Sequence, residues 1–369
     1  MGQAIELYSP IYNQFRYIQM IIAQIDNINK LKSPSKEKDL SQPAQTSLLN
    51  LNTAFDPMSN EVVRPPPVTL YYNECFARIR ATSSVSADLK AEFVNAKAPG
   101  YLPSPGRSPT FFMSSQTAKY LVKELKPSEV PLFLGFVQDY ATYLETHPDS
   151  LLIRYLLFFK IDQTSFIIMP NAFAPPAVGL SAIPPAQLHP RLKYDLKGST
   201  VHRTSKGDAI LKDNNCNRLF VFDQKTRATV VNNLKLDSLF LKQHGFLDYS
   251  LLVGVTSSLK RYGRFEQEHK LTSKSLNAIM VNSLVEQDLQ LIQKEVTEQK
   301  IHAFLTTNSE LCYLQIIDFF TVYTPKKQME KFFKSFAHPA DQLSVQTPDF
   351  YCERFQRFIS EIIISDFGM

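Results

Sequence analysis

Hydrophobic positions along the chain fall into segments of two periods, one helical and one alternating. Between Tyr17 and Ile28, the residues Ile18, Ile21, Ile22, Ile25 and Ile28 recur at the spacing of one helix face. Residues 32–68 then turn polar and proline-rich, from Ser33-Pro34-Ser35 to Pro65-Pro66-Pro67, and read as a linker. The compact part begins near Val68. Phe111-Phe112-Met113 and Tyr120-Leu121-Val122 read as two strands joined by the polar turn 114–118. Pro127-Ser128-Glu129 opens a helical stretch running towards Leu144. Ile161 to Met169 reads as one buried strand, and residues 174–190, rich in Pro and Ala, show no period and read as a loop.

In the second half, Leu234, Leu239 and Leu241 suggest a helix ended by Gly245, followed by a β-like run from Tyr249 to Val255. Residues 258–305 are charged, variable in pattern and partly helical, and read as an insertion. Cys312 to Phe320 is a strongly apolar strand with Asp318 inside it. Thr347-Pro348-Asp349 is a helix start, with N-cap, Pro at N1 and an acid in the first turn. Phe355, Phe358, Ile359, Ile362 and Ile363 mark the buried face of that helix. Strand pairs first, then helices and strands mixed, predict a two-lobed α+β architecture. The expected organisation is an N-terminal helix and linker over 1–67, a small lobe over 68–173 and a large lobe over 174–369.

Composition narrows the function classes. The 369 residues are 44% hydrophobic and 20% charged, the balance of a globular protein. Only 11 are Gly, against 23 Pro, which argues against collagen-like, propeller or flexible-linker classes and gives each glycine more weight. A formal net charge of +5 is too mild for a general nucleic-acid binder, so no nucleic-acid partner is expected and anion binding must come from local clusters. Cys75, Cys216, Cys312 and Cys352 are widely spaced, without a disulfide framework or zinc spacing, which suggests a reducing compartment. No apolar run reaches about 18 residues. No signal peptide is visible, and Glu6 stands where a myristoylation motif has Ser or Thr. The expectation is a cytoplasmic protein that visits a membrane surface.

The densest polar cluster runs from Arg191 to Lys206 and holds Lys193, Lys197 and Arg203 around Gly198 and Ser199, with Asp195 the lone acid. A Gly beside Ser lets backbone N–H groups approach an anion, while Lys and Arg supply countercharge. The same run also reads as a solvated basic turn. Asp248, just before a buried strand, has the plain reading of a turn residue. Asp318 within an apolar strand is costly unless paired or metal-bound. Lys123 at a strand end reads as a solvated edge unless it points at a phosphate. Lys326, Lys327, Lys331 and Lys334 interleave with Met329, Phe332, Phe333 and Phe336, a pattern that suits anionic lipid or an ordinary core-packed helix.

The order of these features is more specific than any one of them. Lys193-Tyr194-Asp195-Leu196-Lys197-Gly198-Ser199-Thr200, then Leu247-Asp248-Tyr249-Ser250-Leu251-Leu252-Val253-Gly254, then Ile316-Ile317-Asp318 resemble the signatures of the phosphatidylinositol phosphate kinases, in the family's order. The similarity continues through Lys326-Lys327 and Phe350-Tyr351-Cys352-Glu353-Arg354-Phe355 and covers about residues 69–364. The resemblance implies a two-lobed, protein-kinase-like lipid kinase fold with antiparallel sheets and packed helices. It implies transfer of the ATP γ-phosphate to an inositol-ring hydroxyl, with Mg²⁺ as cofactor. By position, Lys123 would hold ATP phosphates and Glu129 would be its ion-pair partner. Gly106 and Ser108 would cover the triphosphate. Met169 and Asn171 would lie in the adenine-facing hinge. Asp248 would orient or deprotonate the attacking hydroxyl, and Asp318 would bind Mg²⁺. Asp195, Lys197 and Arg203 would organise the transferred and substrate phosphates.

Residues 319–346 resemble the family's specificity loop, in which an acid marks the 4-phosphate 5-kinases. Glu330 occupies that position, so the resemblance implies phosphatidylinositol 4-phosphate as substrate and the 4,5-bisphosphate as product. Lys326 and Lys327 would meet an anionic membrane surface, with the inner face of the plasma membrane as the expected location, at about 1 kcal/mol each. Homodimerisation and association with other lipid kinases stay open. One departure stands out: Pro109 replaces the second glycine of the family's small-lobe loop, and proline has no N–H to donate and a fixed φ. That change motivates an alternative, a catalytically weak phosphoinositide-binding scaffold of the same fold.

Overall fold

A computed structural model describes residues 10–28, 46–49, 54–56, 61–63, 66–83, 86–94, 100–101, 112–260, 276–298, 301–323 and 347–366. Two compact units divide the chain. One holds residues 1–148 and 154–171, the other residues 149–153 and 172–369.

In the first unit, helix α1 (Pro10–Ala23) buries Phe15, Ile18, Ile21 and Ile22, the expected aliphatic face. After strand β1 (Thr46–Leu49) come β2 (Val68–Tyr71) and helices α2 (Asn73–Ser83) and α3 (Ser86–Val94). Helix α1 packs on α3, where the Gln19 side chain donates to the Phe93 carbonyl at 2.7 Å. Strand β1 falls in the stretch that reads as a linker, yet its four residues pair antiparallel with β2 and extend the sheet. Four residues are too few to show a period in a polar stretch.

Strands β3 (Gly100–Tyr101), β4 (Phe112–Ser114) and β5 (Tyr120–Leu125) lead into helix α4 (Glu129–Thr146), then β6 (Leu157–Ile161) and β7 (Thr164–Pro170). The seven strands form one antiparallel sheet in the order β1-β2-β6-β7-β5-β4-β3. The single strand expected over Ile161–Met169 is the second arm of a hairpin, turned at Asp162 with φ 53°. Its first arm, Leu157–Phe159, is fully buried and lacks an alternating pattern. Helix α4 sets Phe133, Phe136, Val137, Tyr140 and Leu144 on one face, and Phe133 stacks edge-on against Phe158 of the sheet at 5.3 Å.

The second unit contains β8 (Leu192–Leu196), β9 (Leu211–Lys212), β10 (Phe220–Phe222) and helix α5 (Gln224–Gln243), then β11 (Phe246–Leu247) and β12 (Ser250–Val255). Helix α6 (Leu276–Glu298), β13 (Ala303–Leu305), β14 (Leu311–Ile317), β15 (Thr321–Val322), helix α7 (Pro348–Ile362) and β16 (Ile363–Ser365) follow. Its main sheet runs β9-β8-β12-β14-β13. The pairs are antiparallel except β8–β9 and the separate pair β10–β16, which are parallel. Helix α5 is capped by Asp223, whose side chain accepts the Thr226 N–H, and α7 starts at the expected Thr347 cap with Pro348 at N1.

The Pro/Ala-rich loop and the stretch that reads as an insertion hold each other. The buried Asp288 carboxylate of α6 accepts backbone N–H groups from Ser181 (2.9 Å), Ala182 (2.7 Å) and Ile183 (2.8 Å) of the Pro/Ala-rich loop. Ile183 and Leu188 share a core with Val285, Leu289 and Ile292 of α6 and with Leu311 and Tyr313 of β14. Among the described residues, no helix is long and apolar enough to cross a membrane.

Candidate active site

One end of the strands β8, β12 and β14 gathers the acidic motifs. Ser250 of β12 faces Ile317 of β14, and beyond them Leu247 of β11 faces Thr321 of β15. Between these pairs the ladder is interrupted, with Asp248 and Tyr249 set against Asp318, Phe319 and Phe320. Both aspartates take left-handed backbone, φ 66° at Asp248 and φ 57° at Asp318. Such a conformation is uncommon outside glycine, though Asp tolerates it better than most residues. Tyr249, Phe319 and Phe320 bury their rings. Asp318 is exposed, and it lies one residue past β14 rather than inside the strand. Its carboxylate stays in solvent and so does not carry the burial cost that the apolar run suggested. Apolar neighbours on both sides masked the end of the strand.

Lys197 follows β8 and reaches this break. Its Nζ donates to both the carbonyl oxygen and Oδ1 of Asp248, each at 2.7 Å. Asp248 Oδ2 carries no hydrogen bond among the described residues, so one carboxylate oxygen is neutralised and the other is open.

Behind Lys197 lies a second carboxylate, Asp213, which the sequence alone does not single out. Its Oδ1 accepts the backbone N–H groups of Lys197 (2.8 Å) and Gly198 (2.7 Å). Its Oδ2 accepts Arg203 Nε at 2.6 Å. Arg203 Nη2 in turn donates to the Asp195 carbonyl and to Asp195 Oδ1, the latter at 3.2 Å. Burial opposes ionisation of Asp195, but the charges of Arg203 and Lys197 and hydrogen bonds from Ser250 and Arg203 outweigh it and hold the carboxyl below its ordinary value. Burial also opposes the charge of Arg203, and Asp195 and Asp213 overcome it. The Arg203 guanidinium is thus buried between two carboxylates, which it bridges.

Glycine is required at position 198. Its φ is +67°, and an added Cβ would lie 2.9 Å from Cβ of Phe358 on α7. The same helix supports the loop from below. Arg354 Nη2 donates to the Lys197 carbonyl at 3.3 Å, and its guanidinium lies over the Tyr351 ring at 4.8 Å. The Tyr351 hydroxyl donates to the Tyr249 carbonyl, next to Asp248. Burial raises the Tyr351 and Tyr249 hydroxyl pKa values and lowers that of Arg354. Arg354 is legible in retrospect as a cation on the apolar stripe of Tyr351, Phe355 and Phe358. Asp213, between Lys212 and Asn214, offers no comparable signal.

In the first unit, Lys123 lies within β5, opposite Phe112 of β4 and Ile167 of β7, and is buried at 9% exposure. It is therefore not the solvated strand end that the pattern suggested. The Glu129 carboxylate accepts the Lys126 N–H at 2.9 Å, closing the start of α4, because an acid in a helix's first turn satisfies local donors. Met169 is buried in β7. Asn171 donates its backbone N–H to Lys119 O and its side-chain Nδ2 to Ala118 O, each at 2.8 Å. Gly106, Ser108, Pro109, Lys326, Lys327 and Glu330 lie outside the described residues. Among the described residues, no three His, Cys, Asp or Glu side chains converge as a metal cluster.

A family model described as Phosphatidylinositol-4-phosphate 5-Kinase matches residues 94–362. A Dictyostelium discoideum protein named as a probable phosphatidylinositol phosphate kinase is 27% identical over 314 residues, covering 71% of this chain and 42% of the relative. Phosphatidylinositol 4-phosphate 5-kinase 3 of Arabidopsis thaliana is 25% identical over 295 residues, covering 71% and 40%. Phosphatidylinositol 4-phosphate 5-kinase 4 of the same plant is 24% identical over 376 residues, covering 85% and 46%. The chain thus spans less than half the length of these relatives.

Proposed function

The chain belongs to the phosphatidylinositol-4-phosphate 5-kinase family, whose model covers residues 94–362, and from that membership we propose that it transfers the ATP γ-phosphate to the 5-hydroxyl of phosphatidylinositol 4-phosphate. The observation that carries this reading is the shared break in the β11–β12 and β14–β15 ladder, which brings Asp248 and Asp318 to one place with Lys197 on Asp248.

Phosphoryl transfer depends on positioning and charge neutralisation. Asp248 Oδ2 accepts the proton of the attacking hydroxyl and aims its oxygen. Lys197 holds the other oxygen and fixes the carboxylate rotamer. Mg²⁺ is commonly held by one or two carboxylates, with substrate phosphates and water completing the shell. An exposed Asp318 on left-handed backbone fits that donor set, and the bound ion would offset developing charge on the phosphoryl oxygens. The resemblance of its segment to the family's small lobe supports a role for Lys123 in holding the ATP phosphates. Preference for the 4-phosphate substrate rests on Glu330, and membrane contact on Lys326 and Lys327.

The test is phosphate transfer from labelled ATP to vesicles containing phosphatidylinositol 4-phosphate, comparing the wild type with Asp248→Asn and Asp318→Asn. General-base or orienting carboxylates contribute about 10²–10⁴-fold, so both variants should lose at least a hundredfold while keeping their unfolding temperature. Equal turnover in wild type and Asp248→Asn, or no turnover in the wild type, removes the proposal.

A further inference from the structure

The main sheet of the second unit has a second polar site at its other end. Leu192 pairs with Val255, and Leu196 with Leu251, along the same β8–β12 ladder. At about 3.3 Å per residue, the Leu192 end lies roughly 15 Å from the Lys197 end. There a pocket of about 520 Å³ opens, within the roughly 300–1,000 Å³ range of small-molecule sites. Leu192 is the one apolar residue among those that line it.

Several of its polar groups are uncommitted. The Arg191 guanidinium, the Ser257 hydroxyl and the Asn308 carboxamide make no hydrogen bond or ion pair among the described residues. Their backbones are fixed. Arg191 N–H donates to Val255 O at 2.8 Å, and Asn308 O accepts the Ser258 hydroxyl at 2.7 Å. Arg218 Nη2 pairs with Glu310 at 2.5 Å, which neutralises that acid, while the buried Arg218 Nε has no partner. Arg191 is left as the net charge of the pocket.

We propose that this pocket binds a small phosphorylated polyol, with Arg191 gripping the phosphate and Ser257 and Asn308 bonding hydroxyl groups. A guanidinium presents a planar fork that matches phosphate oxygens. The volume exceeds what a lone inorganic anion fills, since a water occupies about 30 Å³ of liquid, and the polar lining offers both donors and acceptors for hydroxyls. The phosphate can belong to a free molecule or to a lipid headgroup.

Calorimetry on the full chain with glycerol 3-phosphate tests the free molecule, and flotation with phosphoinositide vesicles tests the headgroup. Each is run on the wild type, Arg191→Ala, Asn308→Ala and Asp248→Asn. Arg191 and Asn308 are exposed, so their variants should keep the wild-type unfolding temperature. Binding is expected to weaken at least about tenfold in Arg191→Ala, less in Asn308→Ala, and to be unchanged in Asp248→Asn. That last arm separates this pocket from the candidate active site. Arg191-dependent binding of the soluble probe assigns a free molecule, and Arg191-dependent vesicle binding without it assigns a headgroup. No Arg191-dependent binding in either arm overturns the proposal, as does loss of binding in Asp248→Asn alone.

Discussion

Arg203 Nε donates to Asp213 Oδ2 at 2.6 Å, and through that contact a buried ion pair fixes the backbone from which Lys197 reaches Asp248. Asp213 is anchored to the chain by two N–H groups and to Asp195 through Arg203, so the three acids and two bases form one connected network.

Removing the Asp213 charge should therefore unsettle the whole loop. Asp213→Asn leaves Arg203, at 9% side-chain exposure, without its shorter ion pair. Breaking one side of a buried pair costs about 3–5 kcal/mol. Urea unfolding should show a loss of that order, with turnover falling alongside it. A variant as stable as the wild type would refute the bracing role.

Gly198→Ala should destabilise by about 1–3 kcal/mol, because the left-handed backbone and the contact with Phe358 both oppose a methyl group. Gly135 in the middle of α4 has nothing within 4 Å of an added Cβ, so Gly135→Ala should instead stabilise by about 0.5–1 kcal/mol. Thermal unfolding of the two variants should move in opposite directions.

The Asp195 carboxyl, held below its ordinary value, makes stability pH-dependent. Its contribution is complete above the unfolded-state pKa of about 3.9 and is lost as pH falls through the lower folded-state value. Unfolding midpoints measured from pH 6 down to about pH 3 should drop less steeply for Asp195→Asn than for the wild type. Parallel acid limbs would show that Asp195 does not contribute.

Asp288→Ala leaves the N–H groups of Ser181, Ala182 and Ile183 without their shared acceptor. An unsatisfied buried donor costs about 1–3 kcal/mol, and partial hydration of the loop limits the sum. Hydrogen exchange should accelerate at residues 181–183 while β12 stays protected. Unchanged exchange at those amides would contradict the clasp.

Much of this protein is readable without coordinates. Period-3.6 spacing locates α1, α4 and α7, and a Thr-Pro-Asp start fixes the first turn of α7. These signals are local, so a one-dimensional pattern carries them. The motif order around Lys197, Asp248 and Asp318 likewise identifies the family, and residues 94–362 match its model.

Other features depend on contacts across long stretches of chain. Strand β1 is legible only once β2 is beside it. Asp318 looks buried in sequence and is exposed, because strand β14 ends at Ile317, one residue before it, although apolar residues continue to Phe320. Arg203 is bracketed by two carboxylates, since only folding sets Asp213 and Asp195 on either side of it. Sequence by itself determined which chemical groups are present and which helices they flank. The tertiary structure decided which of those groups are paired and which are left open, because pairing depends on distances that spacing along the chain does not encode.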